Sequence, residues 1–146
     1  MQVGLTCKTF NTGKTTTFTL TTNSNAWIGV SSAAHMIIPG GVGIIGISTA
    51  ANPGKHAVGA YDFNGTGLPT IAQVPLDPRS LASMGITKAS FKSTATSSVL
   101  TFTVANGKSP FTINTGSNAL LFAVGPHAAL DATHGPLNRV HFTITV

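Results

Sequence analysis

Residues 99–105 read VLTFTVA, and the spacing of their apolar side chains decides the class of the fold. Leu100, Phe102 and Val104 fall on one side of an extended chain and Thr101 and Thr103 on the other, because successive side chains of a strand point to opposite faces. The same period of two returns in TTTFTL, residues 15–20, where Phe18 and Leu20 oppose Thr17 and Thr19. It returns again in RVHFTITV, residues 139–146, where Val140, Phe142, Ile144 and Val146 oppose Arg139, His141, Thr143 and Thr145. Each segment reads as a strand with one buried face. AWIGV, VGIIGI, AVGAYDF and ALLFAV are short apolar runs of strand length and read as more fully buried strands. Between them stand the turn signals NTGK, TNSN, ANPGK, NGTG, ANGKSP and NTGSN. The one helical candidate is DPRSLASMG, in which Asp77 could cap a short turn containing Pro78.

Composition leans the same way. The chain of 146 residues holds 22 Thr and no Glu; Thr suits a half-exposed pleated surface and Glu is a helix former. About nine or ten strands at this spacing predict an all-β fold, an antiparallel β-sandwich. The length suits one domain over residues 1–146, with no internal repeat and no linker. No apolar stretch approaches the roughly 18 residues of a membrane-spanning helix.

The net charge is +5, from 8 Lys and Arg against 3 Asp. The cations are scattered and no aromatic residues interleave with them, so a nucleic-acid partner is not expected; an acidic ligand or protein partner fits the charge. Cys7 is the only cysteine, so no internal disulfide and no C-x-x-C pair exists. The start, MQVGLTCKTF, lacks the charged region and apolar block of a signal peptide. Low charge and the sequon Asn64-Gly65-Thr66 nevertheless point to an exported protein.

Enzyme signatures are absent. Asp62, Asp77 and Asp131 form no pair at short spacing, G-x-S-x-G does not occur, and the glycines at 40, 41, 43 and 46 lead into Ile residues and not into a phosphate-binding helix. No catalytic residue is expected.

The histidines are more informative. His56 sits in a turn and His141 on the polar face of the last strand, where solvation explains both. His127, His134 and His141 stand seven apart, but Pro126, Gly135 and Pro136 break any helix that spacing suggests. A blue-copper site needs a Cys thiolate with two His, and Cys7 has neither His nor Met near it in sequence. A haem iron takes two axial donors from opposite sides, and Met with His is one such pair. Met36 and His134 each lie in a glycine-bearing loop beside a buried strand, and Ile37, Ile38 and Phe122 are apolar residues able to line a flat ring. Without the C-x-x-C-H motif such a haem is not covalently attached. Residue types alone leave Met36 open between a ligand and a gap-filling side chain, the commoner use of Met.

The order of these segments resembles the DOMON family, an immunoglobulin-like β-sandwich whose cytochrome members bind haem b. The resemblance runs from about residue 15 to residue 146: AWIGVSSAAHMIIPGGVGIIGI, then LTFTVANGKSP, then ALLFAVGP, then THGPLNRVHFTITV. It implies that Met36 and His134 are the axial ligands, with His35 and His127 as the competing donors nearby. It also implies an electron-transfer cytochrome domain that is not an enzyme, with Arg139 pairing the haem propionates. The resemblance further implies a redox partner protein, such as a membrane cytochrome or a flavin dehydrogenase domain, and an extracellular or cell-surface location. The alternative is a haem-free extracellular carbohydrate-binding or interaction module, in which Trp27 and Tyr61 are packing or sugar-stacking aromatics and Met36 is packing.

Overall fold

A computed structural model describes residues 4–32, 41–54, 56–63, 75–76, 81–82, 84–107, 117–129 and 139–145. Within them run β1 (Leu5–Asn11), β2 (Thr15–Thr22), β3 (Ile28–Ser32), β4 (Gly41–Gly46), β5 (Val58–Phe63), β6 (Pro75–Leu76), β7 (Ile86–Ser93), β8 (Ser98–Ala105), β9 (Ser117–Val124) and β10 (Arg139–Thr145). They form two sheets, one of four strands in the order β1-β2-β8-β7 and one of six in the order β10-β9-β3-β4-β5-β6. Every pairing in both sheets is antiparallel. The fold is all-β, as the alternation requires. Among the described residues no helix is long and apolar enough to cross a membrane.

The hairpins form where the turn residues stand. Gly13 takes φ 88° between β1 and β2, a conformation that costs glycine nothing, and its N–H donates to Asn11 Oδ1 at 2.6 Å. Between β7 and β8 the Thr94 N–H donates to Ser97 O at 2.8 Å. Of the expected helical piece, Leu81 and Ala82 are helical, and their carbonyls accept from Met84 N–H at 3.2 Å and Gly85 N–H at 3.0 Å. Asp77 and Pro78 lie outside the described residues.

The two sheets meet in one apolar cluster. The four-stranded sheet contributes Phe18, Leu20, Ile86, Leu100, Phe102 and Val104, and the six-stranded sheet Ile28, Val30, Ile44, Val58, Ala60, Leu120 and Phe122. Phe18 and Phe102 are cross-strand partners, stacked with ring centroids 4.9 Å apart at 13°. Such pairs add about 0.5–1.5 kcal/mol to the burial of the rings themselves. Gly46 on β4 lets the other sheet pack close against it, because a Cβ there would strike the Phe91 ring and Leu100 Cδ1. Buried polar groups at the edge of the cluster are paired. Ser98 Oγ donates to Ser24 O at 3.0 Å and accepts from Ala26 N–H at 3.0 Å; Thr16 Oγ1 donates to Asn106 Oδ1 at 2.8 Å.

Opposite faces of β8 should therefore respond differently to truncation. Phe102→Ala is expected to lower the unfolding free energy in urea by about 3–5 kcal/mol. Thr103→Ala, one residue along and facing outward, should cost no more than about 1 kcal/mol. Similar costs at the two positions would contradict the assigned core.

Candidate functional site

The six-stranded sheet is buried on both faces at its centre, which an antiparallel sheet with one solvated face does not need. Register sorts its residues into rows. Gly29 on β3 stands between Ile45 on β4 and Ala123 on β9, with Gly59 beyond Ile45. In the next row on the same face, Ser31 stands between Gly43 and Leu121. These rows alternate with Ile28, Val30 and Ile44, which belong to the shared cluster, so they form the outer face. They are buried nonetheless: Ser31 and Ala123 are 0 % exposed, Leu121 1 % and Ile45 8 %, and Gly29, Gly43 and Gly59 are buried too. The cover ends one row further, where Ala119 and its partner Thr143 are exposed. The result is a floor of Gly, Ala and Ser flanked by Ile45 and Leu121, which the chain itself shields from solvent and whose small side chains let that cover lie close to the backbone.

Connections bearing the sequence candidates leave opposite ends of this face. Ser32 pairs with Leu120 and Ile28 with Val124. The chain therefore exits β3 toward Met36 at the Leu120 end, and exits β9 toward His134 at the Val124 end. The two ends are about 13 Å apart, four residues at roughly 3.3 Å each. Met36, His134 and His35 themselves lie outside the described residues, as do Ile37 and Ile38. Arg139 opens β10, its backbone paired with Ala123, and His141 pairs with Leu121, so both take positions in the outer rows. Phe122 is fully buried in the cluster shared by the two sheets, between the outer-row residues Leu121 and Ala123.

At the Val124 end the departing chain is fastened at three points. Gly125 N–H donates to Trp27 O at 2.9 Å. The Trp27 indole lies so close to Gly125 that a Cβ would overlap Nε1, Cε2 and Cδ1 of the ring. Asn52, on the β4–β5 connection, then holds the next residues: its Nδ2 donates to Ala128 O at 3.0 Å and to Ser48 O at 2.8 Å. Trp27 is thus a structural clamp, only 5 % exposed. His127 and His56 are exposed on the two connections that Asn52 joins.

Among the described residues no group of three or more His, Cys, Asp or Glu could hold a metal ion. Cys7 sits on the edge strand of the other sheet, packed against the core, and burial pushes its thiol up from 9.0 to about 11. A protonated thiol is a poor nucleophile and a poor ligand.

Sequence reasoning singled out the loop donors and missed the floor between them. The signal was present: IGVSS, GVGIIG and VGAYDF carry glycine at positions that register aligns on one face. No protein-family model matches this chain, and no curated protein matches it.

Two outcomes test this geometry. Gly125→Ala should destabilise the fold more than Asn52→Ala, because the methyl group collides with a buried indole whereas the amide change removes two hydrogen bonds, a loss of about 1–3 kcal/mol; urea titration of both variants measures the order. For Cys7, the folded chain keeps a proton that the unfolded chain loses between pH 9.0 and about 11, so stability should fall as pH rises through that window. The rate of alkylation of the native protein should accordingly reach half its maximum near pH 11; a midpoint at or below 9.0 contradicts the burial of this thiol.

Proposed function

We infer that this chain is an electron-transfer cytochrome domain on an immunoglobulin-like, DOMON-type antiparallel β-sandwich, holding one haem b without covalent links between Met36 and His134. The observation that carries the reading is the buried outer floor of Gly29, Gly43, Gly59 and Ala123, which lies between the strand ends that lead to those two residues. Axial donors must reach an iron from opposite sides of a flat ring. Segments that enter one face from its two ends meet that requirement when each folds back over the face. Residues 33–40 and 125–138 are long enough to cross half of the roughly 13 Å between the ends at about 3.3 Å per residue.

The residues fit the group. Thioether and imidazole are an accepted donor pair for haem iron, and the small side chains of the floor would let a flat ring lie close to the backbone. Held by Met36 and His134, a haem would supply one-electron transfer with no open position for a substrate, which makes the domain an electron carrier and not an enzyme. The rest is done by the chain. The Trp27–Gly125 clamp and Asn52 fix the start of the segment that carries His134. Ile45 and Leu121 keep water from the floor. Arg139, whose backbone pairs with Ala123, would pair a propionate. The partner is a redox protein, such as a membrane cytochrome or a flavin dehydrogenase domain. Low charge and the Asn64 sequon favour an extracellular or cell-surface setting.

Titration with haem should give one equivalent bound, a six-coordinate low-spin spectrum, and pigment that acid-acetone extracts. Met36→Ala should yield high-spin character and a lower reduction potential, and His134→Ala should remove most of the affinity. An unchanged spectrum in Met36→Ala moves that ligand to His35, and loss in His127→Ala but not in His134→Ala moves the other to His127. Absence of haem binding by the intact chain leaves the haem-free interaction or carbohydrate-binding module as the reading.

A further inference from the structure

The outer face of the four-stranded sheet is the opposite of the floor just described: exposed, hydroxylated and cationic. Register lays it out in three rows. Phe10, Thr17, Thr103 and Lys88 form the first, Lys8, Thr19, Thr101 and Ser90 the second, and Thr6, Thr21, Val99 and Lys92 the third. The central Thr side chains are half-buried, and Thr17 and Thr103 bond to each other through their hydroxyls at 2.9 Å. Lys8, Lys88 and Lys92 are exposed on the two edge strands. None of the three carboxylates of the chain, Asp62, Asp77 and Asp131, belongs to this sheet. Phe10, 69 % exposed, is the one large apolar side chain left open among the described residues, and it stands in the first row. A bulge at Ile86/Lys88 resets the alternation of β7 and brings Lys88, Ser90 and Lys92 to this face.

We propose that this face binds a uronate-bearing polysaccharide, independently of the haem site. The charge excludes a cationic or neutral partner as the best fit, since the face carries only positive charge. Spacing excludes a small anion: Lys88 and Lys92 are about 13 Å apart along the strand, and Lys8 lies three strand spacings, about 14 Å, across the sheet. One phosphate cannot bridge such gaps, whereas one chain with recurring carboxylates can. The same sparseness disfavours nucleic acid, which carries a charge about every 1.7 Å of duplex axis. A protein partner is disfavoured because interface centres are rich in aromatic residues and Met and poor in Lys, and this face has a single aromatic. A chain of sugars suits what lies between the lysines: Thr hydroxyls that donate and accept hydrogen bonds, and a Phe ring able to stack on the C–H face of a pyranose.

Affinity electrophoresis of the full chain in gels containing polygalacturonate tests this, with neutral glucan, dextran sulfate (a polyanion without uronates) and single-stranded DNA as competitors. Retardation is expected with polygalacturonate, weakening as salt is added. The triple variant Lys8→Gln/Lys88→Gln/Lys92→Gln should bind about tenfold more weakly, three exposed ion pairs at about 0.5 kcal/mol each. Phe10→Ala should also weaken binding. The triple variant Lys55→Gln/Arg79→Gln/Lys108→Gln removes equal charge at positions that belong to none of the four strands and should bind like the parent. No retardation, equal loss in both triple variants, or stronger competition by dextran sulfate or DNA than by polygalacturonate overturns the proposal.

Discussion

Double burial of β3, β4 and β9 is the constraint on which the other features rest. A strand covered on both faces has no solvated side on which to place charge, and none of these strands contains a Lys, Arg, Asp or Glu. One face must close against the four-stranded sheet. It does so through Ile28, Val30, Ile44 and Phe122, with Gly46 admitting the Phe91 ring. The other face has to be covered by something other than that sheet, and its small residues set how close the cover comes. Charge is left to the edges and to the second sheet, where Lys8, Lys88 and Lys92 stand in solvent. The two sheets thereby divide the work: one presents a dry floor, the other a wet cationic surface.

The clamp at Trp27 follows from the same arrangement. Where β9 leaves the covered region, its first free residue is Gly125, and only glycine allows the indole to lie against the backbone. Asn52 then bonds to Ala128 O and Ser48 O, which joins two connections that share no ladder. Both contacts stiffen the route toward His134 before the chain reaches it. Under the proposed ligation, His134 would have less conformational freedom to lose on binding.

How much of this was legible in the sequence depended on whether a strand kept its period. In β2 and β8 the alternation is unbroken, and Phe18, Leu20, Leu100 and Phe102 are buried where it placed them. The apolar runs at β3, β4, β5 and β9 read as strands of fuller burial, and for β3, β4 and β9 both faces are indeed covered. β7 was obscure because its bulge inserts one residue, so that Ile86 and Ala89 share a face despite odd spacing. β1 was obscure because an edge strand buries little, and its large apolar residue, Phe10, faces solvent. β6 is a two-residue pairing with no period to detect. For the site, residue types pointed to donors in loops, but the floor became visible only once register aligned glycines from three strands that sequence keeps apart. Met36 and His134 lie outside the described residues, so their roles rest on the resemblance and on the strand ends that lead to them.

The central claim is that the outer floor of the six-stranded sheet carries the haem. Paramagnetic NMR of the ferric, haem-loaded protein tests it most directly, because an unpaired electron shifts and broadens nearby amide signals. The account predicts large effects at Gly29, Gly59 and Ala123, and none at Thr17 and Thr101 on the far face of the other sheet. Effects centred on the four-stranded sheet, or an unperturbed Gly29–Gly59–Ala123 set in a protein that has bound haem, would contradict it.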